Sequence, residues 1–209
     1  MPQPPILKVS EIFASVQGEG LRQGEPTIFI RLTGCNLRCD FCDTKYAWEG
    51  GDDISIQQVI ARVKQQHKEF PADWVCITGG EPLLQDIREL AQKLKEEDLR
   101  IQIETNGTRF KKLPVDWYTV SPKPDKYYVH PELIGITREV KLVVTEELDF
   151  DVVRKIRQEF PPATPILLQP ESNKNKFMQK GQKLLKNAVE DGLKNLRLST
   201  QLHKIYGWQ

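Results

Sequence analysis

Seven short runs rich in Val and Ile recur along the 209 residues, at 27–32, 74–78, 101–105, 117–120, 140–144, 166–169 and 196–199, and each reads as a strand. Amphipathic segments lie between some of them. Ile56, Val59, Ile60 and Val63 fall on one helical face, as do Ile87, Leu90, Ala91 and Leu94, and then Val152, Val153, Ile156 and Phe160. Strand and helix alternate, which predicts an α/β chain on a parallel sheet. Residues 106–116 and 122–138 break the alternation, because they carry Pro, Gly and charge without a helical period. The fold should therefore have more strands than crossover helices.

In parallel β/α folds the carboxyl ends of the strands share one rim, and that rim builds the active site. Five polar, turn-rich segments follow strands here: a cysteine loop after the first, then 78–82, 104–107, 121–123 and 169–170. Each alone is an ordinary turn. Their joint placement at strand ends is what points to a site.

The first of these loops holds Cys35, Cys39 and Cys42 within eight residues, directly behind the strand-and-turn segment 27–34. Three thiolates on one loop can hold three irons of a cubane and leave the fourth open. A tetrahedral zinc site normally closes with a fourth Cys or His, and no second paired knuckle follows. Cys76 sits in the apolar run 74–77 and reads as an inert buried thiol. His67, His130 and His203 are scattered and form no His-x-x-x-His pair. The spacing favours an iron-sulfur cluster, with a zinc-knuckle interaction module as the non-enzymatic alternative. A disulfide reading fares worse, since three clustered cysteines leave one unpaired and nothing marks the chain as secreted.

Charge is balanced, with 30 Lys and Arg against 29 Asp and Glu, so there is no electrostatic footprint for nucleic acid. The lysines of 174–186 alternate with apolar residues at helical spacing and read as a solvated helix face. The first residues lack a charged and an apolar region of the leader type, and no apolar run reaches the length of a membrane span. A cytoplasmic location is expected, with no membrane partner. The length suits a single domain over 1–209 that buries about 70% of its unfolded surface.

The cysteine spacing, with Phe41 before the last cysteine, and the stretch Gly79, Gly80, Glu81 and Pro82 resemble the radical S-adenosylmethionine superfamily. Within it, residues 13–20, 29–35, 42–44, 104–107, 121–123 and 203–207 are similar to the 7-carboxy-7-deazaguanine synthases, over essentially the whole chain. This resemblance implies a partial (βα)6-type parallel barrel, usually a homodimer. It implies conversion of 6-carboxy-5,6,7,8-tetrahydropterin to 7-carboxy-7-deazaguanine, with an external reductant of flavodoxin or ferredoxin type. A glycyl-radical activase of the same superfamily is the alternative enzyme.

By the same resemblance, Cys35, Cys39 and Cys42 hold a 4Fe-4S cluster. Phe41, Cys42, Asp43, Gly80, Ser121, Pro122, Lys123, Gln169 and Pro170 surround S-adenosylmethionine. Gly80 suits that place because an absent side chain lets backbone approach a ligand. Val16, Gln17, Gly18, Glu19, Thr78, His203 and Gln209 hold the pterin. Arg31 meets its carboxylate, a task that suits a planar guanidinium fork. Thr44 is implied as a Mg2+ ligand, and one hydroxyl makes a poor site alone, so substrate and water must complete the shell.

Overall fold

The computed structural model describes residues 5–124 and 126–208. Gln209, one of the expected substrate contacts, lies outside them. Contacts divide the chain into two compact units, the first formed by residues up to Gln17 with Glu25–Thr105 and Lys111–Trp117. Its strands are β1 (Ile6–Val16), β2 (Pro26–Leu32), β3 (Asp52–Ser55), β4 (Trp74–Gly79) and β5 (Arg100–Thr105), in the order β3-β1-β2-β4-β5. β2, β4 and β5 are parallel, whereas β1 runs antiparallel to both β2 and β3. β1 and β3 thus add an antiparallel edge to the expected parallel sheet. Only residues 17–25 join β1 to β2, too few for the crossover that a parallel pair needs.

Register explains how this unit divides its two faces. Ile12, Ile30, Ile77 and Ile103 stand in one row across β1, β2, β4 and β5, and the last three are wholly buried. Helix α1 (Ile56–Glu69) packs on β1, β2 and β3, and α2 (Arg88–Glu96) packs on β5. They bury Val59, Val63, Leu90, Ala91 and Leu94, the residues that the helical period singles out. Ser55 starts α1 with a reciprocal capping box to Gln58. Truncating Ile77 to Ala in such a core costs roughly 2 to 5 kcal/mol. The opposite face carries Glu11, Phe13, Phe29, Arg31, Cys76, Thr78, Gln102 and Glu104, because side chains alternate along a strand. One face is therefore core and the other is chemistry.

The second unit comprises Gly18–Gly24, Asn106–Phe110 and the described residues from Tyr118 onward. β6 (Trp117–Val120), β7 (Thr137–Val144), β8 (Ile166–Pro170) and β9 (Leu196–Leu198) follow one another as parallel neighbours. Its helices are α3 (Pro131–Ile134), α4 (Phe150–Glu159), α5 (Asn175–Glu190) and α6 (Leu202–Tyr206). α5 packs on β7, β8 and β9, and α4 packs on α5. Val140, Leu142, Val144, Ile166 and Leu168 are fully buried on one face. The other face of β6, β7 and β8 carries Thr119, Glu139, Lys141 and Gln169. The single turn α3 lies where no helix was expected, started by His130 as N-cap and Pro131 at the first helical position.

Nine strands and six helices are found among the described residues, so strands do outnumber crossover helices. None of the helices is long and apolar enough to cross a membrane.

Candidate active site

In the first unit, the cysteine loop leaves β2 pinned by backbone hydrogen bonds where it starts. Thr33 N–H donates to the Lys8 carbonyl at 2.9 Å, and Gly34 N–H donates to the Ala47 carbonyl at 2.9 Å. Inside the loop, Cys42 N–H donates to the Cys39 carbonyl at 3.0 Å, turning the chain between the second and third cysteines. Cys35, Cys39 and Cys42 are unbridged and half-buried, while Cys76 is fully buried as expected. Three unbridged thiolates on one loop are a donor set that fits three corners of a cubane, whereas a closed tetrahedral zinc site takes a fourth Cys or His.

At Gly80 the structure gives a second reason for a glycine. A Cβ there would lie 2.6 Å from the Gly34 carbonyl carbon and 2.9 Å from Cys35 Cβ. Gly80 N–H donates to the Leu32 carbonyl at 3.1 Å, and Glu81 N–H donates to the Gly34 carbonyl at 2.7 Å. The residues that end β4 thus support the base of the cysteine loop, and the close approach is to that loop. Glu81 is fully buried and accepts from Leu83 N–H at 3.0 Å and the Thr105 hydroxyl at 2.8 Å. Thr44 follows the cysteines, half-buried, with its hydroxyl 3.5 Å from Cys42 Sγ. Phe41 is half-buried and Asp43 exposed on the same loop.

Arg31 stands between Glu11 on β1 and Thr78 on β4, in register with both. Its Nε donates to Glu11 Oε1 at 2.6 Å. Burial would lower the guanidinium's pKa, but nearby Tyr46, Glu11 and Glu104 outweigh it and raise the value, so the charge is secure. Gln17 directly follows Val16, the last residue of β1, and is buried. Its Nε2 donates to Gln102 Oε1 and to Glu104 Oε1, both at 3.0 Å. The first unit therefore brings Gln17, Arg31, Thr78 and the cysteine loop onto one polar face and its rim, whereas Val16, in the row of Ile12 and Ala14, falls on the opposite side of β1.

The second unit assembles the other expected residues around the strap Gly18–Gly24. Leu202 N–H donates to the Gly18 carbonyl at 2.8 Å, and Gln23 Nε2 donates to the Gly18 carbonyl at 3.0 Å and the Thr200 carbonyl at 2.9 Å. The His203 ring packs over Gly18 so closely that a Cβ would strike its Nδ1. Glu19 forms an ion pair with Lys141 and accepts from Gln201 Nε2 at 2.7 Å. Burial alone would raise the Glu19 carboxyl. The Lys141 charge, with hydrogen bonds from Lys141, Gln201 and Gln169, holds it instead well below the usual carboxylate range. Glu139, fully buried, fixes the strap further by accepting from Leu21 N–H at 2.6 Å and from the Thr119 hydroxyl at 2.8 Å.

Ser121, Pro122, Gln169 and Pro170 are all buried at strand ends of this unit. The Ser121 hydroxyl donates to the Lys141 carbonyl at 2.7 Å, and Lys123 Nζ donates to Ser121 Oγ at 2.6 Å. Gln169 Oε1 is buried with no hydrogen-bond donor among the described residues. An orphaned acceptor of that kind suits the ammonium or hydroxyl donors that S-adenosylmethionine carries. Sequence reasoning missed Glu11, Tyr46, Glu139, Lys141 and Gln201. For Glu139 and Lys141 a signal existed, since two charges at alternate positions inside an apolar strand mark a polar face.

Comparison with known proteins agrees with this geometry. The Radical SAM superfamily pattern matches residues 29–172. The 7-carboxy-7-deazaguanine synthase of Aquifex aeolicus is 36% identical, over 96% of this chain and 94% of its own length. That of Bacteroides thetaiotaomicron is 42% identical, over 95% and 96%. The crystal structure of QueE from Escherichia coli superposes with a TM-score of 0.78 at 28% identity, covering 95% of each chain.

Proposed function

Because the chain belongs to the radical S-adenosylmethionine superfamily and, within it, to the 7-carboxy-7-deazaguanine synthases, we propose a division of labour among its own residues for that reaction. The enzyme is a radical S-adenosylmethionine lyase with the superfamily's α/β partial-barrel fold. It contracts the ring of 6-carboxy-5,6,7,8-tetrahydropterin to 7-carboxy-7-deazaguanine with loss of ammonia. Its cofactors are a 4Fe-4S cluster, S-adenosylmethionine and Mg2+.

Cys35, Cys39 and Cys42 would hold the cluster. Phe41 to Asp43, Gly80, Ser121 to Lys123, Gln169 and Pro170 would hold S-adenosylmethionine. When bound, these two groups supply a carbon-centred radical able to take a hydrogen atom from the substrate. The protein's task is to aim the pterin and exclude water. Arg31 supplies a permanent cation for the carboxylate. Gln17, Gly18, Glu19, Thr78 and His203 line the pterin. Since the Glu19 carboxylate is occupied by Lys141 and Gln201, its contribution is to fix the main chain of the strap against the substrate. The stacked rings of Phe13 and Phe29, 5.1 Å apart, form an apolar wall on the face of Arg31. Thr44 would give Mg2+ one oxygen, and the ion supplies positive charge beside the substrate carboxylate.

The observation that carries this reading is the register of β2. The strand that delivers Cys35 also holds Arg31 between Glu11 and Thr78, so one element sets both cluster ligand and carboxylate ligand. We also read the chain as a single catalytic domain, a cytoplasmic homodimer reduced by a flavodoxin- or ferredoxin-type donor. The test is anaerobic turnover of reconstituted protein with dithionite, S-adenosylmethionine and 6-carboxytetrahydropterin, followed by mass spectrometry. The carboxydeazaguanine mass should appear only with all components present, and its absence from a protein with full iron and sulfide rejects the reading.

A further inference from the structure

Arg31 is held by a device that spans three elements of the first unit. Its Nε donates to Glu11 Oε1 at 2.6 Å, and the Tyr46 hydroxyl donates to that same oxygen at 2.7 Å. Glu11 lies on β1, Arg31 on β2, and Tyr46 in the 3-10 turn Lys45–Ala47 of the cysteine loop. The guanidinium carbon lies 5.8 Å from the centre of the Phe13 ring and 5.9 Å from that of Tyr46. The side chains of Arg31 and Glu11 are only 16% and 23% exposed. One carboxylate oxygen therefore joins the strand pair to the loop that bears Cys42 and Thr44, while two aromatic rings limit how the guanidinium can turn.

A guanidinium can offer a carboxylate the edge through Nε or the edge formed by its two terminal nitrogens. Here Glu11 takes Nε, which leaves the terminal edge for a ligand. We propose that Glu11 and Tyr46 are positioning residues for substrate recognition, aiming the terminal edge of Arg31 at the pterin carboxylate and coupling that edge to the cysteine loop. The proposal rests on the reading of Arg31 as the carboxylate ligand and extends it to the residues that aim it.

An objection is that Glu11 should repel an incoming carboxylate. Coulomb energy falls with distance, and a ligand on the terminal edge is nearer the guanidinium than the carboxylate beyond it. Attraction therefore exceeds repulsion, and Glu11 in return spares the resting protein an uncompensated, half-buried cation.

The experiment measures binding to the reconstituted, anaerobic enzyme of three probes: 6-carboxytetrahydropterin, tetrahydropterin lacking the carboxylate, and S-adenosylmethionine. Glu11→Ala should weaken the carboxylated pterin roughly tenfold or more, Glu11→Gln less because its oxygen still accepts from Nε, and Tyr46→Phe roughly threefold. None of them should change the carboxylate-free pterin or S-adenosylmethionine by more than about twofold. In an Arg31→Ala background, Glu11→Ala should add nothing further. Tighter binding of the carboxylated pterin by Glu11→Gln would mean that Glu11 only competes for Arg31, and overturns the proposal. Equal losses for both pterins, or losses that persist in the Arg31→Ala background, overturn it as well, by making the role a general one. Unaltered carboxypterin binding in Arg31→Ala alone removes Arg31 as the carboxylate ligand, and is recognised separately because no Glu11 variant is involved. Tyr46→Phe on the exposed turn and the near-isosteric Glu11→Gln keep the test decisive if Glu11→Ala does not fold.

Discussion

Lys141 and Glu19 are 122 residues apart in the chain and form a buried ion pair, with side chains only 7% and 15% exposed. Lys141 lies on the polar face of β7, so the pair clamps the strap Gly18–Gly24 to the sheet of the second unit. Removing the cation leaves Glu19 buried with Gln201 and Gln169 as its remaining donors. Lys141→Met should therefore cost about 2 to 4 kcal/mol, read as a lowered denaturant midpoint with unchanged slope. Adding Glu19→Gln to that variant should restore much of the loss, since no buried charge is then stranded. A loss below about 0.5 kcal/mol, within the range of an ordinary surface substitution, refutes the clamp.

The same pair sets a pH dependence. The Glu19 carboxyl has an ordinary value of 4.5, and Lys141 holds it well below that in the folded protein. The unfolded chain thus takes up a proton first as pH falls, and stability falls with it. The contribution is complete above about pH 5 and is lost progressively as pH descends toward the folded value. In Lys141→Met burial acts without that opposing charge, so Glu19 is protonated at higher pH. The stability gap between wild type and Lys141→Met should be largest at neutral pH and narrow as pH falls toward 5 and below. Urea titrations across that range check it, and a gap that widens toward acid contradicts the assignment.

Much of this architecture could be read from the chain, and what could not has physical causes. The short apolar runs of β2, β4 and β8 and the helical stripes of α1, α2 and α4 are local signals, and they appear within a residue or two of where they were expected. β1 was missed as a strand because a bulge between Val9 and Glu11 shifts its register. β3 has four residues, two of them Asp, and exists as a partner for the start of β1. The cysteine cluster was legible because its three residues lie on one loop. Glu11 with Arg31, and Lys141 with Glu19, were not, because the pairing comes from register and tertiary packing rather than from spacing. Gly80 is expected to be glycine for the approach of a ligand, and the structure adds a second reason, its close approach to the cysteine loop.

Among the four cysteines, burial separates roles. Cys35→Ala, Cys39→Ala and Cys42→Ala should each abolish cluster assembly and turnover. Cys76→Ala should retain both, at a cost of about 1 kcal/mol for the small void it leaves at a fully buried position. Iron and sulfide content of the anaerobically reconstituted variants decides this. Loss of the cluster from Cys76→Ala would contradict the assignment of ligands.

The hydroxyl of Thr44 lies beside Cys42 on the loop. Thr44→Val keeps the shape and removes the oxygen. Turnover of wild type should rise on adding Mg2+, and the variant should need roughly tenfold more of the ion for half its response, the scale for loss of one charge-assisted contact. Identical magnesium titrations would remove Thr44 from the metal site.

Gly80 offers the sharpest test of how β4 supports the cysteine loop. A methyl group there would sit 2.6 Å from the Gly34 carbonyl carbon and 2.9 Å from Cys35 Cβ. The first neighbour is backbone, which cannot swing aside as a flexible side chain can. Relief must come from moving the loop or the end of β4, at a cost of about 1 to 3 kcal/mol. The hydrogen bond from Glu81 N–H to the Gly34 carbonyl, 2.7 Å long, transmits that shift to the residue before Cys35. Gly80→Ala should therefore lower iron incorporation and change the absorption of the reconstituted cluster even before S-adenosylmethionine is added. Gly135→Ala, at a position with nothing within 4 Å and ordinary helical backbone, is the matched control and should assemble its cluster normally. Were Gly80→Ala to take up iron like the control and lose only S-adenosylmethionine affinity, its glycine would serve the ligand and not the loop.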